Sequence, residues 1–236
     1  MAAPEFDSFA QSYDEILEGC LGGRRNSSAV EYFAEGKALY LRRMMGDAFS
    51  GTILDYGCGH GRVARHLLKA LPAAQIHGFD ISTKTIQAAD EALRQRVLLT
   101  STEMDLLPTY DLIVVAGVLH HVQPRERVSF LAALHGRLAP TGRIVLFEHN
   151  PRNPLTRRIV AQCAIDCGAV LSAPAQTRAV MEAAGLDPCG LDYISFVPPL
   201  FARLRPVERL LEWCPFGAQY VMIAVRQGSN PVQEAA

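Results

Sequence analysis

Between Ile53 and Ala70 the chain runs from an apolar pair through Asp55-Tyr-Gly57-Cys-Gly59-His-Gly61 into a stretch with helical spacing. Ile53 and Leu54 suit a buried strand. Gly57, Gly59 and Gly61 let the backbone turn sharply and approach a ligand closely. Val63, Leu67 and Leu68 then recur at the period of a helix. A strand that feeds a helix through such a turn points backbone N–H groups at a nucleotide-like ligand. Few other folds use this pattern, so it constrains the rest of the chain.

The spacing disfavours a dinucleotide. The pyrophosphate fingerprint is G-x-G-x-x-G, and here the third glycine comes one residue early. Asp55 stands just before the turn, where it would repel a pyrophosphate but can accept charge-assisted hydrogen bonds from an ammonium group. Asp80 closes the next apolar run, Ile76-His-Gly-Phe79, at the distance where an acidic strand end meets ribose hydroxyls. A nucleoside that carries an ammonium, S-adenosylmethionine, fits both carboxylates.

Asp55-Tyr-Gly57-Cys-Gly59-His-Gly61, Gly78-Phe79-Asp80 and Tyr110-Asp-Leu-Ile-Val-Val-Ala-Gly-Val-Leu-His120-His121-Val122 together resemble the class I S-adenosylmethionine-dependent methyltransferases, in the branch with a Val-Leu-His-His-Val motif. The resemblance spans roughly 51–148. It implies an α/β fold with a Rossmann-like, seven-stranded, mostly parallel sheet, helices on both faces and an antiparallel last strand. It also implies that Gly57, Gly59 and Gly61 approach the methionine part, that Asp55 anchors its amino group, and that Asp80 binds the ribose diol. Ile81, Glu103 and Met104 would lie around the adenine, and Ala116 would end the fourth strand beside the sulfonium. In related quinone O-methyltransferases a Glu-His pair with a role in metal binding occupies the place of His120 and His121. Histidine replaces the glutamate here, and no metal is expected.

Alternation of strand and helix predicts a parallel sheet, with strands near 52–56, 75–80, 96–100, 110–116 and 142–148 and helices near 61–71, 83–95 and 124–138. Pro140-Thr-Gly142 reads as a turn before the fifth strand. A helix near 155–166, another over 177–184, and strands near 189–196 and 218–225 follow. Apolar stripes at 5–18 and 30–45 predict two helices that cap the core. The expected organisation is a helical cap at 1–50, a cofactor-binding core at 51–226 with insertions near 151–174 and 198–216, and a disordered tail at 227–236.

His120, His121 and His149 are the candidate catalytic groups. The first two follow the fourth strand and the third ends the fifth, at the sheet edge where open α/β folds bind ligands. Histidine can take a proton from a hydroxyl near neutral pH; His120 is the slightly favoured base. A hydrogen-bonding role in a neighbouring loop is the alternative. His135 reads as a surface residue. Arg152, Arg157 and Arg158, with Arg203, Arg205 and Arg209, raise the further expectation of an acidic acceptor.

The formal net charge of -1 gives no global field for nucleic acid or a membrane surface, and no apolar run reaches the length of a membrane span. The N-terminus lacks the pattern of a secretion signal. The six scattered cysteines read as reduced thiols, so a cytoplasmic protein is expected. Methylation of a hydroxyl on a sugar, glycolipid or secondary metabolite is the favoured activity. N- or C-methylation of a small metabolite, and non-catalytic binding of the cofactor, stay open.

Overall fold

The computed structural model describes residues 27–228 together with Asp7, Ile16, Gly19 and Cys20. The expected helix over 5–18 lies outside the described residues apart from Asp7 and Ile16, and so does the tail beyond Gly228.

One seven-stranded sheet organises the fold. Its strands are β1 (Thr52–Tyr56), β2 (Gln75–Phe79), β3 (Leu98–Thr100), β4 (Tyr110–Ala116), β5 (Leu138–His149), β6 (Leu186–Ile194) and β7 (Gln219–Arg226), in the order β3-β2-β1-β4-β5-β7-β6. The first five pair in parallel, and β7 runs antiparallel to both β5 and β6. The Rossmann-like expectation, including the antiparallel last strand, therefore holds.

Both faces of the sheet are covered, which is why β4 carries the unbroken apolar run Leu112 to Ala116. In β4, Leu112 and Val114 belong to one apolar layer with Ile53, Leu67 and Phe147. Ile113 and Val115 belong to the other, with Leu54, Leu131, Leu146 and Met181. Helices α1 (Ser27–Met45) and α2 (Arg62–Ala70) supply Leu41 and Leu67 to the first layer. Helices α5 (Arg127–Gly136) and α7 (Pro174–Ala183) cover the second. Strand order reverses between β1 and β4, so the loops leaving their carboxyl ends diverge and open a crevice.

Several boundaries differ from the sequence reading. The stretch 83–95 is two short helices, α3 (Thr83–Gln87) and α4 (Glu91–Arg94), because Asp90 accepts from Ala92 N and starts a new cap. Pro140-Thr141-Gly142 does not precede β5 but lies inside it. Tyr110 pairs with Leu138 and Leu112 with Arg143, so the tripeptide is accommodated by a register shift. His135 is half-buried, with Arg226 donating to its carbonyl. Helix α6 (Pro154–Gln162) opens the expected insertion. Pro154 takes its first turn, where no N–H is needed, and Asn153 caps it by accepting from Thr156 N.

Candidate active site

The glycine turn joins β1 to α2. Gly57, Gly59 and Gly61 all have positive φ, at 79°, 55° and 75°. A Cβ on Gly57 would stand 2.3 Å from Val118 Cγ2, so the β1 turn and the β4 loop approach as closely as glycine allows. Gly61 has a different job. Its Cα faces Leu93 and Leu99, where a Cβ would meet Leu93 Cδ2 at 2.6 Å. It lets the α2 start pack on α4.

Two cavities flank the turn. The larger, about 600 Å³, is lined by Gly57, Gly59, Asp80, Ile81, Glu103 and His121 among others. The smaller, about 160 Å³, is lined by Lys37, Asp55, Gly57, Gly59, His60 and Ala116 among others. Eight of the twelve sequence-predicted site residues line one or the other; the exceptions are Gly61, Met104, His120 and His149. The 3-10 turn Glu103–Asp105 directs Glu103 back toward Tyr56 Oη, at 3.4 Å, and toward Arg137, while Met104 is thrown outward and is 93% exposed.

Asp80 is held in place by the backbone. Its Oδ2 accepts from Gly59 N and its Oδ1 from Ser82 N, both at 2.9 Å. Burial raises its pKa, against the lowering effect of these two bonds. Asp55 is buried, and its Oδ2 has no hydrogen-bond partner among the described residues. Burial is the main cause that raises its carboxyl to about 7. Such an orphaned acceptor beside a small cavity fits an ammonium donor. Lys37, on α1, lines the same cavity. Burial lowers its pKa to about 8, while Asp55 and Glu148 pull the other way. Sequence reasoning missed Lys37. Its position on the inward stripe beside Ala34, Ala38 and Leu41 was the available signal, because a lysine there must be paired or functional.

The histidines gather at the end of the same crevice. Glu148, buried in β5, accepts from Leu119 N at 2.7 Å through Oε1 and meets His120 Nδ1 at 2.6 Å through Oε2. On the other side of the ring, His120 Nε2 lies 3.4 Å from Asp166 Oδ1, an ion-pair distance without hydrogen-bond alignment. The His121 Nε2 lies 3.5 Å from the same oxygen. The His149 ring stacks at a tilt on His120, with centroids 4.9 Å apart.

Asp166 comes from the insertion and was also missed by sequence reasoning. The insertion is tied to the β4 loop: Val170 N donates to His120 O at 2.8 Å, and Arg127 donates to Val122 O, Val170 O and Ser172 Oγ.

This arrangement assigns the protons. Burial alone would lower the His120 pKa, but Glu148 and Asp166 outweigh it and raise it to about 9. Burial, then the neighbouring His120 charge, push His121 and His149 down to about 4. These shifts favour the charged form of His120 and the neutral forms of His121 and His149. Two carboxylates favour the proton on His120, and His121 is the histidine of the three that borders the larger cavity.

His120, His121 and Asp166 each offer a ligand atom, all within 4.8 Å of one another, so this group could hold a divalent cation in place of the proton. Asn150, at the end of the same strand, is structural. Its Nδ2 donates to Pro215 O and Gly217 O, pinning the link before β7. Arg205 is likewise turned inward, over the Tyr32 ring and against Glu35, which removes it from the set expected to meet an acidic acceptor.

Residues 54–144 match the sequence profile of a family described as a methyltransferase domain. An uncharacterized protein of Synechococcus is 35% identical over 106 residues, covering 41% of this chain and 25% of that protein. A ubiquinone/menaquinone biosynthesis C-methyltransferase of Syntrophotalea carbinolica is 29% identical over 163 residues, covering 64% of this chain and 63% of that one. The chain thus spans a quarter of the first relative and under two thirds of the second. In fold it is similar to magnesium protoporphyrin IX methyltransferase from Synechocystis, solved with S-adenosylmethionine bound. The TM-score is 0.65 at 17% identity, with 96% of this chain and 98% of that one covered. Residues 54–144 thus match a methyltransferase domain, and the sheet order and glycine turn around them are those of the class I S-adenosylmethionine-dependent methyltransferase fold.

Proposed function

We propose that this protein transfers a methyl group from S-adenosylmethionine to a hydroxyl of a small molecule, a sugar, glycolipid or secondary metabolite, in the cytoplasm. The observation that carries this reading is the neutral His121 on the wall of the cavity that also holds Asp80.

The residues present fit the cofactor. Asp55, with its orphaned Oδ2, receives the ammonium of the amino-acid end, and Lys37 supplies a cation for the carboxylate beside it. Asp80 receives the ribose hydroxyls, and Ile81 and Glu103 border the adenine end. When bound, the cofactor supplies an electrophilic methyl group on a sulfonium.

The side chains then do three things. The walls of the crevice hold the acceptor oxygen in line and exclude water. His121 takes the hydroxyl proton onto a ring nitrogen, so the attacking oxygen gains charge as the proton leaves. His120, clamped by Glu148 and Asp166, keeps His121 unprotonated until that moment. Domain limits of 1–50, 51–226 and 227–236 belong to this proposal, with the 151–174 insertion supplying Asp166 and the 198–216 insertion bordering α1.

The test is methyl transfer from labelled S-adenosylmethionine to a panel of hydroxyl acceptors, by the wild type and by His121→Asn. A product methylated on oxygen, formed at least 100-fold more slowly by the variant, supports the reading, since general base catalysis contributes on the order of 10²–10⁴. Methylation at nitrogen or carbon is the second reading, favoured by the C-methyltransferase name of the Syntrophotalea relative. Product analysis distinguishes it.

A further inference from the structure

The link from β6 to β7 contains a 3-10 segment, Pro199–Leu211, whose backbone departs from helical angles at Phe201. A 3-10 helix has three residues per turn, so side chains three apart share one face. The burial of this segment follows that period. Arg205, Glu208 and Leu211 are drawn in. Arg205 donates to Tyr32 O at 2.7 Å, and Glu208 accepts from Val197 N at 2.7 Å.

Between the kink and the turn that follows the segment stand Phe201, Leu204, Val207, Leu210 and Trp213. These side chains are exposed by 54%, 54%, 48%, 73% and 77%. The usual amphipathic arrangement is inverted: charged groups hold the segment to the protein, and the large apolar groups face outward. The same segment carries Arg203 and Arg209, both exposed and without an ion-pair partner among the described residues. The two carboxylates of the segment are engaged elsewhere, Glu208 on Val197 N and Glu212 on Arg43.

We infer that the patch Phe201, Leu204, Val207, Leu210 and Trp213, flanked by Arg203 and Arg209, seats this protein on an anionic bilayer surface. Charge complementarity selects the occupant. Two unpaired guanidiniums beside an apolar patch match lipid phosphates above acyl chains, which long arginine side chains reach by snorkelling. The size agrees. Five exposed apolar side chains make a small patch, whereas a stable protein interface takes roughly 20–30 residues a side. Trp213 is suited to the boundary region, because its Nε1 already donates to Leu210 O at 2.8 Å and the ring can enter the acyl layer without losing a bond. The net charge of -1 conceals this local arrangement. No described helix is long and apolar enough to cross a membrane, so the contact is peripheral. The inference is independent of the reading of the reaction.

Trp213 is the single tryptophan of the chain, so its fluorescence reports on the patch alone. The full chain is mixed with vesicles of phosphatidylcholine, or of an equal mixture with phosphatidylglycerol, and followed by emission and by co-sedimentation. The expected result is a blue shift and sedimentation with the anionic vesicles, both weakened by salt. Phe201→Ser with Leu210→Ser lowers the affinity by roughly tenfold or more through lost apolar burial. Arg203→Gln with Arg209→Gln removes the preference for anionic vesicles. Both double variants keep the wild-type circular dichroism and melting temperature, because all four side chains face outward. Unchanged emission with both vesicle types overturns the inference. So does a shift that needs no lipid and tracks dimer formation by light scattering, which would assign the patch to a second copy.

Discussion

His120 and Glu148 are joined by a contact of 2.6 Å between Nδ1 and Oε2, with both residues buried. Asp166 faces the opposite nitrogen at 3.4 Å. A proton placed on His120 thus meets a carboxylate at each end of the ring, and the positive charge it brings suppresses protonation of His121 and His149. The cluster thus favours a proton on His120 and neutral rings at His121 and His149.

Glu148→Gln keeps the shape of the side chain and its bond from Leu119 N but removes the charge. Breaking a buried ion pair costs about 3 kcal/mol, which for a chain of this size lowers the melting temperature by roughly 6–12 °C. The folded pKa of His120, about 9, lies above the ordinary 6.5. Its stabilisation is therefore complete below pH 6.5 and is lost as pH rises through 9. Melting curves of the wild type should show that decline across pH 6.5–9, and the variant should show much less of it.

The pH dependence of kcat/KM tests which histidine is the base. With His121 held near 4, the wild-type rate should rise through about pH 4 and stay level to neutrality. His120→Asn removes the neighbouring charge, so the acid limb should move upward toward the ordinary 6.5. A limb that stays in place in this variant contradicts the coupling.

A divalent cation and the His120 proton compete for the same nitrogen. If the cluster works as an acid–base unit, chelator leaves the initial rate unchanged. Added zinc then inhibits, more strongly at pH 8 than at pH 6, because binding must displace a proton. Loss of activity on chelation, restored by metal, would reverse this assignment.

Gly57→Ala forces a Cβ to within 2.3 Å of Val118 Cγ2 at a φ of 79°. Backbone strain of this kind costs about 1–3 kcal/mol. The variant should melt lower and bind S-adenosylhomocysteine more weakly. Adding Val118→Ala should recover only part of each effect, since the backbone strain remains.

Local patterns were legible in the sequence. The Asp55 turn, the Asp80 strand end and the apolar runs of β1, β2 and β4 were fixed by neighbours in the chain, and all stand where expected. What was hidden depends on contacts between distant segments. Glu148 lies 28 residues from His120, and Asp166 arrives on an insertion whose position is set by Arg127 and Val170. Without those contacts no spacing rule could choose between His120 and His121. Asp90, by contrast, was readable: an aspartate before Glu91-Ala-Leu is a capping signal that should have divided 83–95.

The measurement that tests the central claim most directly is calorimetric titration of the protein with S-adenosylhomocysteine, alongside Asp80→Ala. The account predicts micromolar binding to the wild type. In the variant, loss of charge-assisted bonds worth about 1.5–3 kcal/mol should weaken binding by roughly 10- to 150-fold. Absence of binding to the wild type, or equal binding to both proteins, would contradict the assignment of this crevice as the cofactor site.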